Sequence, residues 1–403
     1  MTLKIEKGQA HGKISAPASK SMGHRLLICA AACQGASRIN GLNSCEDILA
    51  TIDCLRALGA KIKYDGSTAV IKGTDLTKSK PTEPLNCRES GSTLRFLIPI
   101  AMLSGNEVTL VGSERLMARS QSVYERLAEE NGIYFERKSD RIILRGPIKG
   151  GEYFVNGNVS SQFISGLILA LSMTDGDARV IVNTSLESRP YVDMTIAAMR
   201  AMGVRVHEEY DCAFFSFGGQ SYKAGEYTVE GDWSNAAFLD AFNMLGGDVE
   251  ICGLTDGSKQ GDKIYKQHFA ALKKGYSEID ISDCPDLGPI LFCMAAVYHG
   301  AKFVGTRRLR DKESDRISAM ESELKKLGAR MHIEENSVTV EGGGLHCPTE
   351  RLYGHNDHRI VMSLAVMCSM LGGEIEGCEA ASKSYPEFFN DIKLLGINCH
   401  EIR

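Results

Sequence analysis

The segment IDCLRALGAKIKY, residues 52–64, decides the fold because it joins a short amphipathic helix, a glycine stop and a strand. Its leucine-type residues stand three and four positions apart, and Gly59 stands where a left-handed C-terminal cap is expected. The pattern recurs, once loosely, in segments 123–136, 196–208, 268–281, 320–334 and 388–400. The glycine stops are Gly59, Gly132, Gly203, Gly275, Gly328 and Gly396. The chain is therefore predicted to repeat one supersecondary unit.

A second series of segments runs beside the first, and each is an apolar helix opened by small or hydroxyl-bearing residues. The copies are ASKSMGHRLLICAAA (18–32), ESGSTLRFLIPIAML (89–103), VSSQFISGLILAL (159–171), DWSNAAFLDAF (232–242), CPDLGPILFCMAAV (284–297) and NDHRIVMSLAVM (356–367). Helices that are apolar nearly all round are predicted to be buried. With hairpin patterns such as DRIILRG and NSVTVEGG, the two series predict an α/β (α+β) protein of six βαβαββ-like units.

Six units over 403 residues predict two domains of three units each, because one ordinary core does not hold such a chain. The boundary is expected near YTVEGDWSN, residues 227–235, where the third unit ends. We assign residues 14–231 to the first domain and residues 232–403, with 1–13, to the second. The opening residues TLKIEKG are expected to add a strand to the second domain, since six equal units leave them unpaired.

The composition excludes several classes of function. A net charge of −5 argues against a general nucleic-acid binder, which needs a basic field. Thirteen cysteines without a C-x-x-C pair indicate reduced thiols in a cytoplasmic protein. The N-terminus lacks the apolar core of a signal peptide, and no apolar run approaches the ~18 residues of a membrane span. No His/Asp/Glu grouping has the spacing of a metal site.

The helix starts of the first three units carry polar residues that can bind anions. Free N–H groups and a partial positive charge at a helix N-terminus attract phosphates and carboxylates. In ASKSMGHR, Lys20, Ser21 and Arg25 add a point charge, a hydroxyl and a guanidinium, although no P-loop is present. The other polar positions are Arg119, Ser160, Ser161, Gln162, Ser188 and Tyr191. Each one alone also fits a helix cap or a polar turn.

The stretch LRDKESDRI, residues 309–317, has six charged side chains in nine positions. It could be a solvated helix start. If the following helix extends back at 100° per residue, however, Glu313 projects into the apolar face, with Lys312 and Arg316 on its flank. An inward carboxylate has a raised pKa that neighbouring cations oppose, which suits a general acid or base near neutral pH. This geometry favours a site over a solvated run.

Three further segments of the last units carry charged residues at helix starts or turns. Asp286 in DCPDLGP could be an N-cap or a second functional carboxylate. His358 and Arg359 in GHNDHRI occupy the same position of another unit, and His358 could instead be a buried, hydrogen-bonded imidazole. Lys383 precedes a proline turn in KSYPEF.

Taken together, these motifs resemble the 5-enolpyruvylshikimate-3-phosphate synthase family, the 3-phosphoshikimate 1-carboxyvinyltransferases, from Ile14 to about Phe389. The resemblance is carried, in family order, by ASKSMGHR, SGSTLR, VSSQF, SRPYVD, VEGD, PDLGP, LRDKESDR, NDHR and KSYPEFF. It implies a two-domain inverse α/β barrel (an alpha-beta prism) with buried parallel helices and an active site in the interdomain cleft. It also implies transfer of the enolpyruvyl group of phosphoenolpyruvate to the 5-hydroxyl of shikimate 3-phosphate. Neither metal nor organic cofactor is implied, and a monomer is expected.

The resemblance also implies a role for each matching residue. Asp286 would accept the hydroxyl proton, Glu313 would protonate the donor carbon, and Lys20 would assist the leaving phosphate. The implied contacts of shikimate 3-phosphate are Lys20, Ser21, Arg25, Ser160, Ser161, Gln162, Ser188, Tyr191, Asp286 and Lys312. The implied contacts of phosphoenolpyruvate are Lys20, Gly91, Arg119, Gln162, Lys312, Arg316, His358, Arg359 and Lys383.

The chain departs from the family pattern at a few positions, and other activities use related folds. Glu89 and Ser92 replace the residues more usual there, beside the expected phosphoenolpyruvate contact, which bears on donor affinity and inhibitor response. Arg308 stands where the family more often has asparagine or an acid, and it is assigned no ligand. UDP-N-acetylglucosamine enolpyruvyl transferases carry a reactive cysteine in the loop matching LVGSERLMARS, but this chain has no cysteine between Cys87 and Cys212. A binding homologue without turnover is the alternative from another class. RNA-end cyclases share parts of the architecture, but this chain lacks their nucleotide-handling motifs and a basic surface.

Overall fold

The computed structural model describes residues 1–209 and 212–402, and the chain divides into two domains. The first domain is Ala18–Glu230, and the second consists of Met1–Pro17 with Gly231–Arg403. The first domain was predicted as residues 14–231, but residues 14–17 and 231 belong to the second domain. The reason is the strand His11–Ser15, which pairs in parallel with Asp248–Cys252 of the second domain.

Among its described residues, the first domain contains three sheets of one topology, in which a parallel pair is followed by two antiparallel strands. In order across each sheet, the strands are Glu226–Thr228, Ala36–Asn40, Ala69–Lys72 and Lys61–Tyr64; Leu85–Asn86, Glu107–Val111, Arg141–Arg145 and Tyr134–Arg137; and Gly151–Val155, Ala178–Val182, Ala213–Ser216 and Val206–Glu209. The hairpin predicted at DRIILRG is present as Tyr134–Arg137 with Arg141–Arg145. The mixed α/β class is thereby confirmed.

The described part of the second domain repeats this topology twice and shortens it once. The two four-stranded sheets are, in order, Ser277–Asp280, Ala301–Val304, Ser337–Val340 and Met331–Ile333; and Leu352–Tyr353, Gly373–Glu376, Thr2–Ile5 and Cys399–Ile402. The strand Thr2–Ile5 pairs antiparallel with both of its neighbours, so the chain's opening residues complete the last sheet. The third sheet has two strands, His11–Ser15 and Asp248–Cys252.

The fourth unit differs from the expected equal repeat. The strand after Gly275 forms the parallel edge of the next sheet rather than a hairpin of its own. This missing hairpin explains why Gly275 and Gly328 stand only 53 residues apart, against about 70 elsewhere. The predicted left-handed cap holds at the other five stops, but Gly275 has an extended φ of 161°.

The six apolar helices are buried, as predicted, and each domain has its own core. They are Lys20–Ala31, Gly91–Ala101 and Ser161–Leu171 in the first domain, and Trp233–Met244, Gly288–Val297 and His358–Leu371 in the second. The remaining helices of the described residues are Glu46–Ala57, Glu114–Ala118, Ser122–Glu130, Arg189–Ala201, Tyr265–Lys274, Arg316–Lys326 and Phe388–Leu394. Within the described ranges, no helix is both long and apolar enough to cross a membrane.

Candidate active site

Arg25 joins two helix starts of the first domain. Its Nε donates to Thr195 Oγ1 at 2.7 Å, Nη1 to the Ser21 carbonyl at 2.6 Å and Nη2 to the Tyr191 carbonyl at 2.8 Å. The guanidinium also lies 5.0 Å from the ring centre of Phe96. Burial lowers the pKa of Arg25 to about 10, which leaves the group charged at neutral pH. These bonds fix the backbone of Ser21 beside that of Tyr191, two predicted contacts of one substrate.

Lys20 begins the first buried helix and forms an ion pair that the sequence did not predict. Ser19 caps the helix, accepting a hydrogen bond from the Met22 amide at 3.4 Å. Lys20 Nζ lies 2.7 Å from Asp47 Oδ2, and both side chains are largely buried. A partly buried pair of this kind orients the ammonium group more firmly than a solvated pair would.

Gln162 is held at both ends of its amide. Its Oε1 accepts from Arg95 Nη1 at 2.9 Å, and its Nε2 donates to Ser92 Oγ at 3.0 Å. Arg95 also reaches Ser160 Oγ at 3.4 Å. Arg95 was not predicted as a site residue. A lone cation within an apolar helix could have indicated it, because a buried charge needs polar partners. The predicted contact Ser161 follows directly and is buried.

Gly91 and Arg119 are in close approach in the first domain. A Cβ built on Gly91 would lie 2.3 Å from Arg119 Nη1, so the guanidinium rests against the glycine backbone. Gly91 begins the helix capped by Ser90, whose hydroxyl accepts from the Thr93 amide at 3.2 Å. Ser188 directly precedes the helix Arg189–Ala201 and has a left-handed backbone, φ 56°. A helix start, a hydroxyl and a guanidinium are groups that suit a phosphate.

Buried hydroxyl contacts connect these groups. Thr195 Oγ1 donates to Ser165 Oγ at 2.9 Å, which joins the helix of Tyr191 to the helix of Gln162. Thr93 Oγ1 reaches the Asp47 carbonyl at 3.4 Å, which joins the helix of Gly91 to the partner of Lys20. The predicted residues of the first domain are therefore parts of one packed group of helices.

Arg316 is the centre of the charged cluster in the second domain. Its Nη1 donates to Asp286 Oδ1 at 2.8 Å, Nη2 to Glu313 Oε2 at 2.7 Å and Nε to Asp357 Oδ2 at 2.8 Å. The arginine side chain is only 1% exposed. The carboxylates hold its pKa above the usual range, although burial alone would lower it. Arg316 is thus fixed in place by three acids.

Asp286 is bound by cations on both of its oxygens. Arg316 and Lys312 donate to Oδ1, the latter at 3.2 Å, and Arg359 Nη2 donates to Oδ2 at 3.0 Å. Burial favours a raised pKa of Asp286, but Arg359, Lys312 and Arg316 outweigh it and hold the pKa well below its usual range. Burial lowers the pKa of Lys312 to about 8, against the pull of Asp286. The alternative of a simple N-cap is wrong, because Asp286 lies in the 3-10 turn before the helix.

Glu313 lies outside the helix in which the sequence placed it. The helix begins at Arg316, because Asp315 caps it by accepting from the Ile317 and Ser318 amides at 3.1 and 3.2 Å. The prediction that the helix extends back through Lys312 and Glu313 is therefore wrong. The predicted apolar face is confirmed, since Ile317, Met320, Leu324 and Leu327 are all fully buried.

The start of the last buried helix supplies the remaining predicted groups. Asp357 caps this helix by accepting from the Arg359 amide at 2.9 Å. Arg359 Nη1 donates to Ser234 Oγ at 2.6 Å. His358 is buried, with Nδ1 4.0 Å from Asp357 Oδ1, and Lys383 Nζ donates to the Asn356 carbonyl at 2.7 Å. The sequence analysis assigned no role to Asp357, although it precedes two predicted residues.

No cluster of three His, Cys, Asp or Glu side chains suited to a metal ion occurs among residues 1–209 and 212–402. All thirteen cysteines are free, and most of them are buried.

Comparison with known proteins agrees with the geometry. Residues 5–392 match the family model described as EPSP synthase (3-phosphoshikimate 1-carboxyvinyltransferase). The chain is 38% identical over 426 residues to a 3-phosphoshikimate 1-carboxyvinyltransferase of Clostridium botulinum (strain Eklund 17B / Type B), covering 99% of this chain and 98% of the relative. It is 38% identical over 421 residues to the protein of the same name from Clostridium kluyveri, covering 98% and 97%.

Two solved structures share the fold. EPSP synthase from Acinetobacter baumannii has a TM-score of 0.79 at 22% identity and covers 99% of this chain and 100% of that chain. The enolpyruvyl transferase NikO from Streptomyces tendae has a TM-score of 0.80 at 14% identity and covers 99% and 98%. The fold is therefore that of the enolpyruvyl transferases. Within that class, the family match and the Clostridium relatives show that this chain belongs to the EPSP synthase family.

Proposed function

We propose that the protein transfers the enolpyruvyl group of phosphoenolpyruvate to the 5-hydroxyl of shikimate 3-phosphate and releases phosphate. The observation that carries this proposal is the carboxylate of Asp286, held by Arg316, Lys312 and Arg359 within 3.2 Å. Such a carboxylate is ionised and oriented, as a group that accepts a hydroxyl proton must be. Guanidinium and ammonium groups such as these three also bind phosphate and carboxylate groups of substrates.

The two substrates each carry a phosphate and a carboxylate, and we assign the polar residues to one substrate or, for Lys20, Gln162 and Lys312, to both. We assign to shikimate 3-phosphate Lys20, Ser21, Arg25, Ser160, Ser161, Gln162, Ser188, Tyr191, Asp286 and Lys312. We assign to phosphoenolpyruvate Lys20, Gly91, Arg119, Gln162, Lys312, Arg316, His358, Arg359 and Lys383. Helix N-termini and guanidinium groups are the usual protein ligands of such anions.

The reaction is an addition followed by an elimination. The 5-hydroxyl oxygen attacks C2 of phosphoenolpyruvate as Asp286 takes its proton, and Glu313 delivers a proton to C3. The tetrahedral intermediate then loses phosphate, assisted by Lys20, and Glu313 takes a proton back from C3 to restore the double bond. Anionic substrates bound to Arg359 and Lys312 oppose the pull of these cations on Asp286, so substrate binding makes the carboxylate a better base.

Arg316 reaches a substrate carboxylate by exchanging one of its present partners. Of its three acids, Asp357 is fully buried, and Asp286, 18% exposed, is also held by Lys312 and Arg359. Glu313 precedes the helix and is 21% exposed. A substrate carboxylate on Arg316 therefore displaces Glu313. The displaced side chain becomes available for proton transfer when the donor substrate is bound.

Phosphate release tests the proposal directly. Purified protein should release phosphate only when shikimate 3-phosphate and phosphoenolpyruvate are both supplied, as measured by a coupled colorimetric assay. Turnover with UDP-N-acetylglucosamine as acceptor would replace the substrate assignment, and tight binding of both substrates without turnover would indicate a binding homologue.

The proposed species is a cytoplasmic monomer that acts without metal, cofactor, nucleic acid or membrane. Activity in excess chelator and the mass from light scattering test the metal and monomer parts.

A further inference from the structure

The residues Gly354–Asp357 form a tight turn with an unusual backbone. The Asp357 amide donates to the Gly354 carbonyl at 2.9 Å, which closes the turn. The two central residues, His355 and Asn356, have φ values of 50° and 51°. Residues other than glycine rarely adopt this left-handed conformation, and two in succession persist only where the surroundings hold them.

Glu323, on the helix Arg316–Lys326, holds this turn. Its carboxylate accepts from His355 Nε2 at 2.9 Å, from the Tyr353 amide at 2.9 Å and from Lys326 Nζ at 2.8 Å. The Glu323 side chain is 1% exposed, so the bond to His355 is poorly screened by solvent. The reaction as proposed does not use Glu323 or His355.

The turn presents two groups to the site of the second domain. The carbonyl of Asn356 accepts from Lys383 Nζ at 2.7 Å. The carboxylate of Asp357 accepts from Arg316 Nε at 2.8 Å. Lys383 and Arg316 are both assigned to phosphoenolpyruvate above, so the conformation of one turn sets the positions of two donor-binding cations.

We propose that Glu323 and His355 are positioning residues for phosphoenolpyruvate binding, acting through the turn Gly354–Asp357. This inference rests on the proposed function. Glu323 stabilises the left-handed His355, the turn then places the Asn356 carbonyl and the Asp357 carboxylate, and these place Lys383 and Arg316. Neither positioning residue contacts a substrate.

Steady-state kinetics of three variants separate this role from a purely structural one. Glu323→Gln and His355→Ala should each raise KM for phosphoenolpyruvate about 3- to 10-fold, which lies in the lower part of the range of coupling between contacting residues. KM for shikimate 3-phosphate should change less than about twofold. His355→Gly should stay near wild type, because glycine adopts the turn without strain. In that background, Glu323→Gln should have little further effect on KM for phosphoenolpyruvate.

A second histidine–glutamate pair in the same domain provides the matched control. His332 Nε2, on the strand Met331–Ile333, lies 2.7 Å from Oε1 of Glu341, which follows the strand Ser337–Val340. Glu341→Gln should leave both KM values unchanged. Equal KM values for phosphoenolpyruvate in Glu323→Gln and Glu341→Gln, with active wild-type protein, would overturn the inference and leave the proposed function standing.

Hydrogen exchange gives a readout that does not depend on turnover. The Asp357 amide is protected by its bond within the turn, so a peptide covering residues 354–360 should exchange faster in Glu323→Gln than in wild type. Glu341→Gln should exchange at the wild-type rate there. Unchanged protection in Glu323→Gln would overturn the inference even if the wild-type protein had no activity with the proposed substrates.

Discussion

Arg316 and Asp357 form an ion pair that solvent does not reach, with Nε 2.8 Å from Oδ2 and exposed side-chain fractions of 1% and 0%. The same aspartate caps the helix His358–Leu371 and accepts from Ser314 Oγ at 3.1 Å. One carboxylate thus satisfies a buried cation and a helix start together. Removing one partner of such a pair leaves a buried charge without its compensation.

Asp357→Ala should therefore destabilise the second domain by about 3–5 kcal/mol in the free energy of unfolding. The cause is the loss of a partner for the buried Arg316, to which the loss of the helix cap adds. Urea unfolding followed by tryptophan fluorescence measures the effect, since the single tryptophan, Trp233, lies in this domain.

Glu374→Gln is the control for that experiment. Glu374 pairs with Arg351 at 3.0 Å on the surface of the same domain, where solvent screens the interaction. Its urea midpoint should match that of wild type. An equal shift of the urea midpoint in both variants would mean that burial of the Arg316–Asp357 pair does not determine its contribution to stability.

Asp286→Ala and Glu313→Gln should each reduce kcat by about 10²-fold or more, because each removes a proton-transfer group. Affinity for shikimate 3-phosphate should be retained at least in part, since the cations assigned to it, Lys20, Arg25 and Lys312, are not substituted. Phosphate release and isothermal titration calorimetry measure the two quantities separately. Asp311→Asn, an exposed acid of the same charged run, should keep wild-type kcat. A near-wild-type kcat in either test variant would exclude that residue from its proton-transfer role.

The repeated unit could be predicted from the sequence because its determinants are local. Helix periodicity and a glycine cap act within a few residues, and they hold at five stops out of six. The cap prediction fails at Gly275 for a reason that is not local, because the strand Ser277–Asp280 that follows pairs in parallel with Ala301–Val304. The prediction that the opening residues add a strand to the second domain is confirmed, but the sequence did not indicate which sheet the strand Thr2–Ile5 completes.

The charged residues of the site could be picked out, but their partners could not. The sequence indicated Lys20, Gln162 and Arg316, because cations and amides at helix starts suggest anion binding. Asp47 and Arg95 were missed, since a side chain's partner across two helices depends on packing that no periodicity encodes. Glu313 was wrongly predicted to lie in the helix, because the periodicity of apolar residues does not reveal that the Asp315 cap makes the helix begin at Arg316.

Gly91→Ala should weaken phosphoenolpyruvate binding. The added Cβ would lie 2.3 Å from Arg119 Nη1, so the guanidinium must move away from its present position. A displacement of about 1 Å in a positioned group can cost up to about 10²-fold, so kcat/KM for phosphoenolpyruvate should fall about 10- to 100-fold. KM for shikimate 3-phosphate should stay near wild type in the same steady-state measurements.

Gly257→Ala is the control for the glycine substitution, since a Cβ there meets no atom within 4 Å. It should leave both KM values unchanged. If Gly91→Ala also left KM for phosphoenolpyruvate unchanged, the contact between Gly91 and Arg119 would have no part in donor binding.

Shikimate 3-phosphate binding should weaken above about pH 8 through the titration of Lys312. Burial lowers the pKa of this lysine to about 8, so it carries its charge below that pH and loses it above. Loss of a charge-assisted hydrogen bond should raise KM for shikimate 3-phosphate by up to about tenfold between pH 7 and pH 9, the limit that one group of this pKa sets. Lys312→Met should bind shikimate 3-phosphate weakly at both pH values, without an inflection near pH 8. Lys326→Met is the control, because Lys326 pairs with Glu323 and is not among the proposed ligands. It should retain the wild-type inflection. An inflection near pH 8 that persisted in Lys312→Met would assign the titration to another group and remove Lys312 from this role.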